Sequence, residues 1–247
     1  MSLPPLPRLE PAIYRWNSVP GDRISVRRLA LGTEAWVGLR APNSRGQYDN
    51  YFNTSLRVEV PGLSLEILAL QISVALVNIR YQHPEVGCTV TWTTDDDPSF
   101  IDYTPPVSNK AALEWARNSV STVSMAENGL DVAERISKQR QESPPESFPP
   151  VKIYVVGQAS EPGTLLEVGS LVDILCAFNH IHWDSISSRI FAGDLLRGVA
   201  QQLDTGDKNY SAVSVPRHPW GEEILNLNEP VLDACKTDVE GGTWRRL

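Results

Sequence analysis

The chain has 247 residues, enough to bury a sizeable core as one large domain or two modest ones. Its content of 41% hydrophobic and 21% charged residues is ordinary for a globular protein, and a net charge of −8 excludes the basic footprint of a general nucleic-acid binder. The three cysteines, Cys88, Cys176 and Cys235, are odd in number and lack CxxC spacing, which fits a reducing compartment better than a disulfide framework.

The N-terminal "MSLPPLPRLEP" lacks an apolar core of signal-peptide length. "YFNTSLRVEV" (Tyr51–Val60) is rich in β-branched and aromatic residues and stops at Pro61-Gly62, so it reads as a strand ending in a turn. Ser64 is then placed as the N-cap of a helix whose broad apolar face carries Leu65, Leu68, Ile72, Ala75, Leu76 and Ile79, with His83-Pro84 as its stop. Ser64, Glu66, Gln71 and Ser73 interrupt the longest apolar stretch, Leu63–Val77, so no transmembrane helix is expected. "GCTVTWTT" (Gly87–Thr94) is the next strand. "NKAALEWARNSV" and "LDVAERISKQRQ" read as amphipathic helices, and "ESPPESFPP" (Glu142–Pro150) as an exposed loop. "VKIYVVG" (Val151–Gly157) and "SLVDILCAFN" (Ser170–Asn179) are buried-type strands, and "SSRIFAGDLLRGVAQQL" (Ser187–Leu203) is a helix with Phe191, Leu195 and Val199 on one side. From Asp204 the chain is polar and punctuated by proline. The expectation is an α/β fold, a mixed sheet flanked by helices, in a soluble cytoplasmic protein. Its partner is expected to be a small-molecule substrate, with no nucleic acid and no membrane.

Chemistry concentrates in "CAFNHIHWDSISSR", where two of the four histidines and a carboxylate fall within five residues. Alternate residues of a strand share a face, so Val172, Ile174, Cys176 and Phe178 align and deliver His180 to the end of an apolar row. That placement favours a neutral imidazole able to accept a proton from a hydroxyl. A strand-end histidine bonded to backbone fits the same position. A metal site is a third reading, since "HIHWDS" resembles the HxHxDH stretch of metallo-β-lactamase-fold hydrolases. Its sixth position, however, is Ser185, and His83 and His218 are the only other histidines available as ligands. Asp95, Asp96 and Asp97 read as a solvated acidic turn, and "GQASEPGT" lacks the lysine of a phosphate-binding loop. Cys176 shares the face of His180, but a mid-strand cysteine in an apolar setting is an inert core residue.

His180-x-x-x-Asp184 with its flanks resembles the HxxxD acyltransferase superfamily, and within it the fungal trichothecene O-acetyltransferase type. "LALQISVALVNIRYQHPEVGCTVTW" is similar to the family's early helix, His-Pro stop and strand. "LVDILCAFNHIHWDSISSRIFAGDLLRGVAQQL" is similar to its strand–motif–helix unit, and "HPWGEEILNLNEPVLDA" (His218–Ala234) to the segment that follows. The likeness runs from Trp36 to Ala234. It implies a half domain like chloramphenicol acetyltransferase, divided as an extension (1–35), an acyltransferase-like domain (36–203) and an irregular C-terminal segment (204–247). It also implies O-acyl transfer to a hydroxyl of a small fungal secondary metabolite such as a terpenoid. No cofactor is bound permanently, and acetyl-CoA or another acyl-CoA is the co-substrate. His180 would be the general base, and Asp184 would support the motif loop through an ion pair. His182 and Trp183 would line the acceptor side, with solvent as the other setting for His182.

Two departures from the family pattern stand out. Ser185 replaces the glycine that usually follows the motif, and the second half found in most members is missing. A homo-oligomer could complete the site, as in trimeric chloramphenicol acetyltransferase. The rival expectation is a non-transferring relative that binds a metabolite or partner or assists a cyclisation. A metallohydrolase comes last.

Overall fold

The computed structural model describes residues 11–22, 24–30, 34, 49–91, 99–124, 128–142, 149–159, 161–204, 210 and 213–229. Among the expected features, Asp95–Asp97, Cys235, Trp36, most of the 142–150 loop and everything beyond Glu229 lie outside the described residues.

The larger sheet holds four strands. β3 (Asn50–Arg57), β8 (Leu171–Phe178), β7 (Val151–Gly157) and β6 (Val120–Ser124) lie in that order, antiparallel except for the parallel β6–β7 pair. β8 runs between β3 and β7 and is buried on both faces. Val172, Ile174, Cys176 and Phe178 point into the main core, while Leu175 joins Val156 on the opposite face. This mixed sheet with helices against it is the α/β architecture expected from the sequence.

Helix α1 (Leu65–Gln82) crosses the main-core face with Ile72, Val74, Leu76 and Val77 fully enclosed. It starts where expected, because the Ser64 hydroxyl accepts from the Ile67 N–H at 3.2 Å and satisfies one of the free donors of the first turn. It ends at His83, because Pro84 has no N–H to continue the ladder. On the same face lie α2 (Asn109–Ser119), through Ala112 and Ala116, and α4 (Ser185–Leu203), through Phe191, Leu195 and Val199. Gly198 lets α4 approach α1 closely, since a Cβ there would stand 3.1 Å from that of Ala75.

Helix α3 (Gly129–Glu142) covers the other face through Val132 and Ile136. Its start is fixed by Asp173 of β8, whose carboxylate accepts from the Gly129 N–H at 2.7 Å and from the Ser55 hydroxyl at 2.5 Å. A buried carboxylate thus meets the positive end of a helix.

A smaller antiparallel sheet, β1 (Asn17–Ser18), β2 (Val26–Leu29), β5 (Phe100–Tyr103) and β4 (Thr89–Thr91), lies in the order β1-β2-β5-β4. It gathers the chain's flanks. Ala30, Cys88, Ile101, Tyr103 and Leu227 form one cluster, and the Trp16 indole donates to the Asn228 carbonyl. The Tyr103 hydroxyl donates to the fully buried Glu223 at 2.7 Å, and the His218 ring stacks on Tyr81 of α1 at 4.3 Å. The segment after Asp204 is largely irregular where described, with one 3-10 turn at Glu222–Asn226. Among the described residues no helix is long and apolar enough to cross a membrane.

Candidate active site

β8 ends at Phe178, and the chain turns at once. The Asn179 N–H donates to the Pro150 carbonyl at 3.0 Å, its side-chain oxygen accepts from Ile181 N–H at 3.1 Å, and its own carbonyl accepts from His182 N–H at 3.0 Å. This short asparagine-built turn lifts His180 off the end of the sheet, with its side chain half-buried.

The orientation of His180 decides its chemistry. Its Nδ1 lies 2.6 Å from the Trp183 carbonyl oxygen. A carbonyl can only accept, so Nδ1 carries the proton and donates, and in the neutral ring Nε2 is left with its lone pair. The nearby Asn50 amide nitrogen is 3.2 Å from the same carbonyl and 3.3 Å from Nδ1. The Trp183 carbonyl therefore takes two donors. Among the described residues Nε2 has no hydrogen-bond partner. In the neutral ring this backbone hydrogen bond selects one tautomer, and it is what orients the side chain. The base and backbone-bonded readings are thus compatible.

Asp184 caps α4. One carboxylate oxygen accepts from Ile186 N–H at 3.0 Å and from Ser187 N–H at 2.6 Å. The helix thereby begins at Ser185, two residues earlier than its apolar pattern indicated. These bonds, the one from Ser187 foremost, hold the Asp184 carboxyl below its ordinary pKa, and His180 contributes in the same direction. The aspartate caps backbone N–H groups, and among the described residues it has no ion-pair partner of the kind the resemblance implied. Ser185 takes up ordinary helical backbone as the first residue of α4.

Trp183 is buried, packed against Phe178 at 5.2 Å and Phe191 at 5.1 Å between ring centres, so its indole props the loop on the core. Its Nε1 is buried and has no hydrogen-bond partner among the described residues. His182 is largely enclosed, near Arg28 and Glu34, which pair through two short bonds of 2.7 and 2.6 Å. Desolvation, reinforced by Arg28 and opposed by Glu34, pushes His182 down to about 4. It is neutral at physiological pH, and solvent is not its main setting.

Other expected features separate from the site. Cys176 is buried in the core, where desolvation raises its thiol to about 12 and keeps it protonated. His218 donates from Nε2 to Asn78, and His83 caps α1. Among the described residues no three His, Cys, Asp or Glu side chains converge on a metal position. Asn50, Arg28 and Glu34 escaped sequence reasoning. Each lies well over a hundred positions from the motif, and no local pattern marks it.

The family described as 15-O-acetyltransferase Tri3 matches residues 4–244 of this chain. The chain belongs to the Tri3 family. It is 37% identical over 246 residues to the trichothecene O-acetyltransferase TRI3 of Trichoderma arundinaceum, covering 96% of this chain and 46% of the relative. To the trichothecene 15-O-acetyltransferase TRI3 of Fusarium sporotrichioides it is 36% identical over 241 residues, covering 95% of this chain and 45% of the relative. A solved structure of the Fusarium TRI3 superposes with a TM-score of 0.80 at 35% identity, over 92% of this chain and 45% of that one. The chain therefore spans somewhat less than half the length of these Tri3 relatives. The family match also extends beyond the Trp36–Ala234 range of the sequence resemblance, taking in β1 and β2 of the small sheet.

Proposed function

We propose that this chain carries the general-base half of an acyl-CoA-dependent O-acetyltransferase acting on a hydroxyl of a trichothecene-type terpenoid. The observation that supports it best is the His180 orientation, with Nδ1–H tied to the Trp183 carbonyl and Nε2 without a hydrogen-bond partner among the described residues. In this reading Nε2 takes the proton of the acceptor hydroxyl as its oxygen attacks the thioester carbonyl carbon of acetyl-CoA. The C–O ester bond forms, the C–S bond breaks, and His180 returns the proton to the departing thiolate, giving free CoA. An imidazole suits this task at neutral pH, whereas a carboxylate is a weak base for an alcohol.

Asp184 supports the loop through its cap and takes no proton. His182, neutral beside the motif, is assigned to the acceptor side, with Trp183 as the platform beneath. Residues 36–203 carry the chemistry in this reading, with 1–35 and 204–247 as flanks. Acetyl-CoA is a co-substrate and no cofactor is resident. A homo-oligomer that completes the site belongs to the same reading. The setting is cytoplasmic.

A second reading is a relative that binds a metabolite or partner without transferring an acyl group. Both are tested by incubating the purified chain with acetyl-CoA and a panel of trichothecene alcohols, following CoA thiol release and acetyl ester formation by mass spectrometry. The mass of the protein in solution is measured on the same sample. Ester formed by an oligomer supports transfer with a site completed between copies. A folded chain that binds the terpenoid but releases no CoA establishes the second reading.

A further inference from the structure

Asn50 opens β3 opposite Phe178, the last residue of β8, so the strand register delivers its amide to the mouth of the motif turn. Trp183 immediately precedes the N-cap of α4. Its carbonyl has no intrahelical partner, because the Ser187 N–H that could reach it is taken by Asp184. That carbonyl is the acceptor that sets the His180 tautomer, and Asn50 is the other group bound to it, through Nδ2 at 3.2 Å. The amide must point its nitrogen inward, since its oxygen in that position would face the carbonyl oxygen. We infer that Asn50 is a positioning residue that clamps the Trp183 carbonyl and, through it, holds the His180 ring with Nε2 available. This inference rests on the reading of His180 as the base.

The Asn50 amide nitrogen also lies 3.3 Å from Nδ1, and because both groups are donors in this tautomer, Asn50 acts through the one acceptor they share. The carbonyl has two lone pairs, and with both engaged it is fixed in direction as well as distance. Without Asn50 the peptide can rotate toward solvent and the ring loses its reason to prefer Nδ1–H. Asn50 itself does not reach the Nε2 side of the ring, so it touches no reacting atom. Its loss should therefore lower turnover while leaving the KM for both substrates unchanged.

The test is the tautomer of His180, read by long-range proton–nitrogen NMR on the 247-residue chain labelled with 15N-histidine, with His180→Ala assigning the signals. The wild-type neutral ring should carry its proton on Nδ1. In Asn50→Leu the Nε2–H population should rise about fivefold, the ratio that one net hydrogen bond is worth. Asn50→Ala, which removes the amide without adding bulk, should give the same shift and guards against a variant that fails to fold. An unchanged tautomer ratio in the folded variants overturns the role of Asn50 and leaves the base reading standing. A wild-type ring with its proton on Nε2 contradicts the base reading itself, and the role of Asn50 falls with it.

Discussion

Replacing Asp184 separates its capping role from any role in catalysis or ion pairing. In Asp184→Ala the N–H groups of Ile186 and Ser187 lose the single oxygen that binds both, at 3.0 and 2.6 Å. The N-cap is exposed, so water partly compensates, and the loss should be about 0.5–2 kcal/mol. For a chain of this length that lowers the melting temperature by about 2–4 °C per kcal/mol. Asparagine presents the same acceptor oxygen without the charge, so Asp184→Asn should lose only the charge–dipole part, about 0.3–1 kcal/mol. The assay is urea unfolding at pH 7 with both variants beside the wild type. The pH dependence has a definite sign. Because the folded pKa of Asp184 is depressed, its stabilisation is present above the ordinary carboxylate range and fades as pH falls through the folded value. The gap between wild type and Asp184→Asn should therefore close at acid pH. If Asp184→Asn proved as damaging as Asp184→Ala, or either cost 4 kcal/mol or more, the cap would not explain the residue and a buried ion pair would.

Two further predictions concern the scaffold. Gly129→Ala should destabilise by about 1–3 kcal/mol in the same unfolding assay, because the new Cβ would stand 2.0 Å from the Asn53 side-chain oxygen and force α3 away from β3. A neutral effect would contradict the close packing of these two elements. His182 has a folded pKa lowered from 6.5 to about 4, so the unfolded chain binds the extra proton first and stability is lost as pH falls from about 6.5 to about 4. His182→Gln should flatten that part of the stability profile, and a variant with the wild-type profile would show that His182 is freely solvated.

The elements that could be read in advance are those specified by neighbours in sequence. α1 has its capping serine, its apolar spacing and its proline stop within one stretch, and β7 and β8 are largely apolar runs, with β8 buried on both faces. β6 was hidden for the opposite reason. It follows α2 without a breaker, alternates Ser and Thr with Val, and lies at the sheet edge, where one face is solvated. β2 and β5 are four residues each, and only their pairing within the small sheet gives them identity. At the site, the His180–Asp184 spacing was visible, and so was the apolar row that ends at His180. The manner in which Asp184 holds the loop was not, because a cap and an ion pair place the same residue at the same position. Nor could the sequence place Arg28 and Glu34 near His182, which only the tertiary fold does, or Asn50 beside His180, which the β3–β8 pairing does.

The most direct measurement for the account as a whole is acetyl transfer from acetyl-CoA by the 247-residue chain, with His180→Ala and Asp184→Asn assayed at matched folded concentration. The account predicts that His180→Ala loses about 10²–10⁴-fold in turnover, the usual contribution of a general base, while Asp184→Asn keeps most of the wild-type rate. Wild-type transfer that survives the loss of His180 would contradict it.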